Sequence, residues 1–399
     1  MQIYFGFHGS CTACLVKLIE TNLIKTVLFR LIYILLFLLT NSIMLAQTNS
    51  LALAYGIGFT IPNHPDFPEI KGPSNGIEVG WSHRSNCLWS TLNGGAVFHL
   101  NAAIQNFGNN AVLGHAFALT PAMSFPVVKK RKFSMQLHLG WGAAWISKKF
   151  DSFSNPTNIV IGTNLNASVS AKLEFAYRIK SLEPFLGLSV QHYSNGNAMS
   201  PNLGINMPML QTGLRFMFEK EIKSYDLMRG NYKKSDSIFV QYKFPKPKIP
   251  FRPFFQLGLG ISANIQRGPF FPVYNINAGT QWLYRPAKTV WAGIEYSFNS
   301  AVYAFYQNNG SSTDPQKFHR YAIWLGHEWI FGRVGFFALG GLYINKHANQ
   351  RSLFPTQTGI NFYPRIPYFK PRHQFWIGLH IRAYMGLADY VMLQAGYRF

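Results

Sequence analysis

Read backwards from its last residue, the chain alternates. Phe399, Tyr397, Ala395, Leu393 and Val391 fall on one side of an extended strand, and Arg398, Gly396, Gln394 and Met392 on the other. The same period of two recurs in Met135, Leu137, Leu139, Trp141, Ala143 and Trp145 against Gln136, His138, Gly140 and Gly142. It recurs again in Phe255, Leu257, Leu259 and Ile261 against Gln256, Gly258, Gly260, Ser262 and Asn264. Val290, Ala292, Ile294, Tyr296 and Phe298 oppose Trp291, Gly293, Glu295 and Ser297, and Phe375, Ile377, Leu379 and Ile381 oppose Trp376, Gly378, His380 and Arg382. Such stretches are strands with one apolar face and one face of polar residues or glycine.

Two settings accommodate that division. In a soluble sandwich the apolar face meets a second sheet and the other faces water, where charge accumulates. In a transmembrane barrel the apolar face meets lipid. Only 13% of residues are charged while 16% are aromatic, which favours the barrel. The fold class expected is therefore all-β: a transmembrane antiparallel β-barrel of about sixteen strands in two halves, an even number that returns both ends to one side. The alternative is an eight-stranded barrel plus a second barrel-like half, and the sequence leaves open whether the halves close together or separately.

The boundaries follow from breaks in the pattern. Lys25 and Arg30 precede the apolar run Leu31 to Leu39, and Leu45-Ala46-Gln47 offers a signal-peptidase site, so residues 1–46 are expected to be a signal peptide with an extended N-region. Cys11 and Cys14 lie inside that leader, leaving Cys87 without a partner for an internal disulfide. Residues 47–220 form the first half. The eighth strand is expected to end near Phe218 and the ninth to begin near Pro253. The charged, proline-rich stretch 221–252, with Lys243-Phe244-Pro245-Lys246-Pro247-Lys248, reads as a periplasmic connection to the second half, 253–399. Arg285-Pro286-Ala287-Lys288 and Gly332-Arg333 read as short periplasmic turns, and Asn63 to Ser74 and Asn299 to His319 as longer outer loops.

One strand end carries chemistry. Leu186, Leu188 and Val190 share parity with His192 and Ser194, so a histidine and a serine two residues apart lie on the apolar face. Downstream, Leu210, Thr212, Leu214, Phe216 and Phe218 share parity with Asn206. Serine-dependent ester hydrolysis needs a base within reach of the hydroxyl, a group that fixes the imidazole tautomer, and donors for the oxyanion.

His192-Tyr193-Ser194-Asn195, followed by Pro201-Asn202-Leu203-Gly204-Ile205-Asn206, resembles the signature of the lipid A 3-O-deacylases, or acyloxyacyl hydrolases, which are outer-membrane β-barrel serine hydrolases. Asn158 to Asn166 fits the same pattern, and segments such as Leu325-Gly326-His327-Glu328-Trp329 are similar to a long branch with a second barrel half. The resemblance implies catalytic roles for His192, Ser194 and Asn206, and oxyanion or substrate-binding positions at Asn195, Asn202 and Gly204. It also implies a departure, because the best-known members have glutamate where this chain has Asn206. The terminal Phe399 strand resembles the assembly signal of bacterial outer-membrane proteins.

Other patterns carry less. His327-Glu328 lacks the second histidine of a zinc helix, and no Cys/His cluster has metal-ligand spacing, so neither metal nor cofactor is expected. Gly335 to Gly341 lacks the lysine of a phosphate loop. The formal charge of +22 is scattered over turns and loops rather than gathered on one element, so nucleic acid is not the expected partner. Lipid A or lipopolysaccharide in the outer leaflet of the bacterial outer membrane is. The function expected is hydrolysis of a 3-hydroxy-linked acyl chain of lipid A by a Ser-His mechanism; the alternative is a non-catalytic barrel, a pore or structural protein.

Overall fold

The computed structural model describes residues 48–84, 88–218, 251–263, 270–308, 318–345, 353–367, 373–384 and 387–399. The expected leader, Cys87, Asn264 and nearly all of the connection 221–252 lie outside the described residues. Two closed antiparallel barrels of eight strands each account for the rest. The first comprises β1 (Thr48–Gly58), β2 (Ser74–Arg84), β3 (Val97–Asn106), β4 (His115–Lys129), β5 (Phe133–Ile146), β6 (Leu165–Tyr177), β7 (Leu182–Ser194) and β8 (Ile205–Phe218). The second comprises β9 (Phe251–Ser262), β10 (Phe271–Arg285), β11 (Lys288–Asn299), β12 (His319–Phe331), β13 (Val334–Tyr343), β14 (Pro355–Phe362), β15 (Gln374–Tyr384) and β16 (Leu387–Arg398).

Closure is what the sequence left open. β8 pairs with β1, from Asn49 opposite Phe218 to Gly58 opposite Met209, and β9 pairs with β16. Each ring thus satisfies its own backbone donors and acceptors, which lipid cannot do, and leaves no sheet edge. The arrangement is the second barrel-like half of the alternative expectation, not one wide barrel. β8 ends at Phe218, and β9 begins at Phe251, two residues before Pro253.

The parity of the strands is as read from the sequence. Along β7, Leu186, Leu188 and Val190 are exposed on the outer wall while Phe185, Gly187 and Ser189 are buried. Along β8, Leu210, Leu214 and Phe216 face outward and Gln211 and Arg215 inward. Turns after β4, β6, β10 and β12 are short, and most connections at the opposite end are longer. Two helices interrupt connections where none was expected: α1 (Leu88–Leu92) between β2 and β3, and α2 (Ser300–Asn308) between β11 and β12. Among the described residues no helix is long and apolar enough to cross a membrane.

Among the described residues, side chains fill both lumens. In the first barrel Glu174 accepts from Arg215 at 2.6 Å and lies 3.1 Å from the Lys172 ammonium, and Arg215 also binds Glu183. Above this network, at the end where β7 finishes, an apolar plug of Phe107, Leu113, Ile146, Val160, Ile161 and Met207 fills the bore. In the second barrel Trp291, Trp324, Trp376, Phe254, Phe337 and Tyr363 pack together, with the ion pairs Arg382–Glu295 and Arg320–Asp389, both 2.6 Å, closer to the other end. Removing one member of a buried network leaves its partners uncompensated. Glu174→Gln is therefore expected to destabilise the first barrel by about 3–5 kcal/mol, measurable as a lower urea midpoint in detergent micelles.

Candidate active site

The hairpin from β7 to β8 builds the site. Its register places His192 opposite Asn206 and Tyr193 opposite Ile205, so two residues fourteen apart in sequence become direct cross-strand neighbours. A second backbone contact holds that end: the Ile61 N–H, from the loop after β1, donates to the Asn206 carbonyl at 2.9 Å. Tyr193 points the other way, into the bore, where its hydroxyl donates to Gln105. His192, Ser194 and Asn206 accordingly stand on the outer wall.

The three side chains form a continuous relay. His192 Nδ1 lies 2.7 Å from Asn206 Oδ1, and His192 Nε2 lies 3.0 Å from Ser194 Oγ. Since Asn206 Oδ1 can only accept, the matching tautomer carries its proton on Nδ1 and presents the Nε2 lone pair to the serine hydroxyl. That is the protonation state in which imidazole can take a proton from serine. Exposure falls along the outer face of β7 from 50% at Val190 to 3% at Ser194, so the nucleophile candidate is sunk beneath the loop that follows it.

That loop, residues 195–204, is tightly specified. The Asn195 N–H donates to Asn202 Oδ1 at 2.9 Å, and Asn195 Nδ2 donates to the Met199 carbonyl at 2.8 Å. With its oxygen so engaged, Asn202 turns its Nδ2 away, and this buried amide nitrogen has no protein partner. An orphan buried donor costs free energy unless a ligand uses it. Gly204 has φ +72°, and a Cβ there would lie 3.0 Å from His192 Cε1 and 3.4 Å from Ser194 Cβ. A glycine is required on both counts.

Sequence reasoning missed what lies beneath the loop. The Gly204 N–H reaches the Val160 carbonyl at 3.3 Å, and Asn63 Nδ2 donates to the Leu203 carbonyl at 2.8 Å. Asn158, fully buried, donates to the Val112 and Lys148 carbonyls and accepts from the N–H groups of Val160 and Ile161. The resemblance takes in Asn158 to Asn166, but not the contacts that set this segment under the loop.

Two family models match the chain. The lipid A 3-O-deacylase (PagL) model takes residues 75–215, which include the whole relay, and the acyloxyacyl hydrolase C-terminal domain model takes residues 252–399. The chain belongs to the lipid A 3-O-deacylase family. Together the two matches span more than half of it, and the second coincides with the second barrel. Among solved structures, the outer membrane enzyme PagL is 17% identical, covering 41% of this chain and 97% of that one with a TM-score of 0.31. Neisserial surface protein A is 7% identical over 43% of this chain and 97% of that one, with a TM-score of 0.28. A Rh. blastica porin mutant is 8% identical over 88% and 98%, with a TM-score of 0.16. No curated protein matches the chain.

The remaining polar pair singled out in the sequence divides between faces. His327 stands on the outer wall of β12 against Tyr284, at 2.7 Å, whereas Glu328 is buried in the second bore, bound by Asn361 and Tyr363. Neighbours on a strand cannot share a ligand across the sheet.

Proposed function

We propose that the protein is an esterase of the bacterial outer membrane that removes a 3-hydroxy-linked acyl chain from lipid A. The relay of Ser194, His192 and Asn206 on the lipid-facing wall supports this reading most directly, because a substrate held in the bilayer reaches the outside of a barrel and not its bore. Among the described residues side chains fill both bores, which supports a substrate reached from the lipid rather than through a bore.

In this mechanism Ser194 Oγ attacks the ester carbonyl carbon as its proton passes to His192 Nε2. The carbonyl oxygen becomes an oxyanion, for which Asn202 Nδ2 is the donor in waiting, while Asn195 holds the loop in shape. Collapse expels the 3-oxygen of the sugar, which takes the proton from His192, and leaves the acyl group on Ser194. Water, deprotonated by His192, then releases the fatty acid.

Asn206 orients the imidazole but, unlike the glutamate of other family members, brings no charge to the imidazolium. Asn206→Ala is expected to lower kcat by about 10-fold, and Asn206→Glu to raise it above wild type. A variant Asn206→Glu slower than Asn206→Ala would show that a charged partner is not accommodated. The reading as a whole is tested by mass spectrometry of lipid A from cells with and without the protein. Loss of one 3-linked hydroxyacyl chain is expected; identical lipid A in both would refute it.

A further inference from the structure

The relay is complete within the first barrel, yet the loop that carries the residue after Ser194 is bound to the second. Both barrels belong to one compact unit of the chain. Asn197 Nδ2 donates to the Asp389 carbonyl at 2.9 Å and reaches Ser262 Oγ at 3.3 Å, and the Asn197 carbonyl accepts from the Ala263 N–H at 2.9 Å. Those acceptors are themselves held. Ser262 Oγ donates to the same Asp389 carbonyl at 3.0 Å, and the Asp389 carboxylate is paired with the buried Arg320 at 2.6 Å.

The loop is shaped for this seat. Gly196 and Asn197 both have positive φ, +67° and +62°, and a Cβ at Gly196 would come 3.3 Å from Val391 Cβ on β16. Gly196 takes its left-handed φ freely and Asn197 at small cost, so the residue types at both positions suit this turn. Here they turn the Asn197 amide into the gap between the ends of β9 and β16. The barrels touch elsewhere with no link to the site loop: at the opposite end Trp89 and Leu92 of α1 pack on Ala287 and Ile330, and Asn93 Nδ2 donates to the Ile330 carbonyl at 3.0 Å.

Resting on Ser194 as the nucleophile, we propose that Asn197 is a positioning residue through which the second barrel holds loop 195–199, and with it Asn195 and Asn202, in the geometry that receives the oxyanion. Only Asn195 and Gly196 separate Asn197 from Ser194. Asn195 fixes Asn202 by one backbone hydrogen bond, so release of the anchor frees the orphan donor to swing. A displacement of about 1 Å in such a group costs on the order of 100-fold in rate.

The test uses the full-length protein in micelles containing lipid A. Asn197→Gly deletes the side-chain anchor where φ already suits glycine, and Asn197→Asp keeps shape and φ while replacing the donor by a carboxylate facing two oxygens. For both, kcat and KM for acyl release are measured, and a fluorophosphonate titrates reactive Ser194. The expected result is a fall in kcat of about 10- to 100-fold with KM within about twofold, and labelling that still reaches every molecule but proportionately more slowly. Unchanged kcat in both variants would overturn the proposal. So would a smaller labelled fraction reacting at the wild-type rate, because that is the mark of misfolding rather than misplacement. Ser194→Ala separates the two readings: should it hydrolyse lipid A like wild type, the nucleophile assignment fails; should it be inactive while the Asn197 variants are fully active, only the anchor fails.

Discussion

Ser194→Ala and His192→Ala are each expected to reduce acyl release by about 10⁴-fold or more, and the double variant to be scarcely worse than either. The hydroxyl and the imidazole are 3.0 Å apart and serve one proton transfer, so once either is gone the other has nothing to act with. Stability should be untouched. Both side chains stand on the outer wall and pack nothing in the bore, so the heat-dependent shift in gel mobility that marks a folded barrel should survive in all three variants. Additive losses, multiplying in the double variant, would mean that the two residues act in separate steps. Full activity of Ser194→Ala on purified lipid A would remove the relay from the mechanism altogether.

Gly204→Ala should also be damaging, though less so, and it removes no functional group. The added Cβ meets His192 Cε1 at 3.0 Å, within a backbone held at φ +72° by the Val160 carbonyl on one side and the Asn63 bond to Leu203 on the other. The imidazole must give way, lengthening its bond to Ser194 or to Asn206. A shift of a few tenths of an ångström predicts a kcat lower by about 10-fold, less than the roughly 100-fold of a full 1 Å misplacement, with the strained φ adding about 1–2 kcal/mol of lost stability. Gly204→Asn separates these two effects. Asparagine tolerates the left-handed conformation better than alanine but carries the same Cβ, so it should recover stability and not activity. Recovery of both would place the cost of Gly204→Ala in the backbone rather than at the histidine.

Much of this architecture was legible in the chain. Parity alone assigned Leu188 and Val190 to the lipid face and Gln211 and Arg215 to the bore, because side chains on a strand alternate whatever the sheet around them does. Turn chemistry marked Arg285 to Lys288 and Gly332-Arg333. The spacing His192-x-Ser194 put base and hydroxyl on one face, while Asn195 and Asn202 in the loop after it were marked only by the resemblance to the family. α1 and α2 were not legible: five and nine residues inside a connection are too short to show a helical period.

What the sequence determined, then, is which way each side chain faces; what the tertiary structure decided is which strand lies beside which. Side chains at β8 do not distinguish β1 from β9 as a neighbour, since the bonds that close a barrel run between backbone amides common to every residue. Closure into two rings, not one, came from those bonds. Register decided that Asn206 rather than another polar residue of β8 stands across from His192. The seat of Asn197 on Asp389, 192 residues away, depends on two rings being held side by side, and no local pattern encodes a contact whose partners meet only after both have closed.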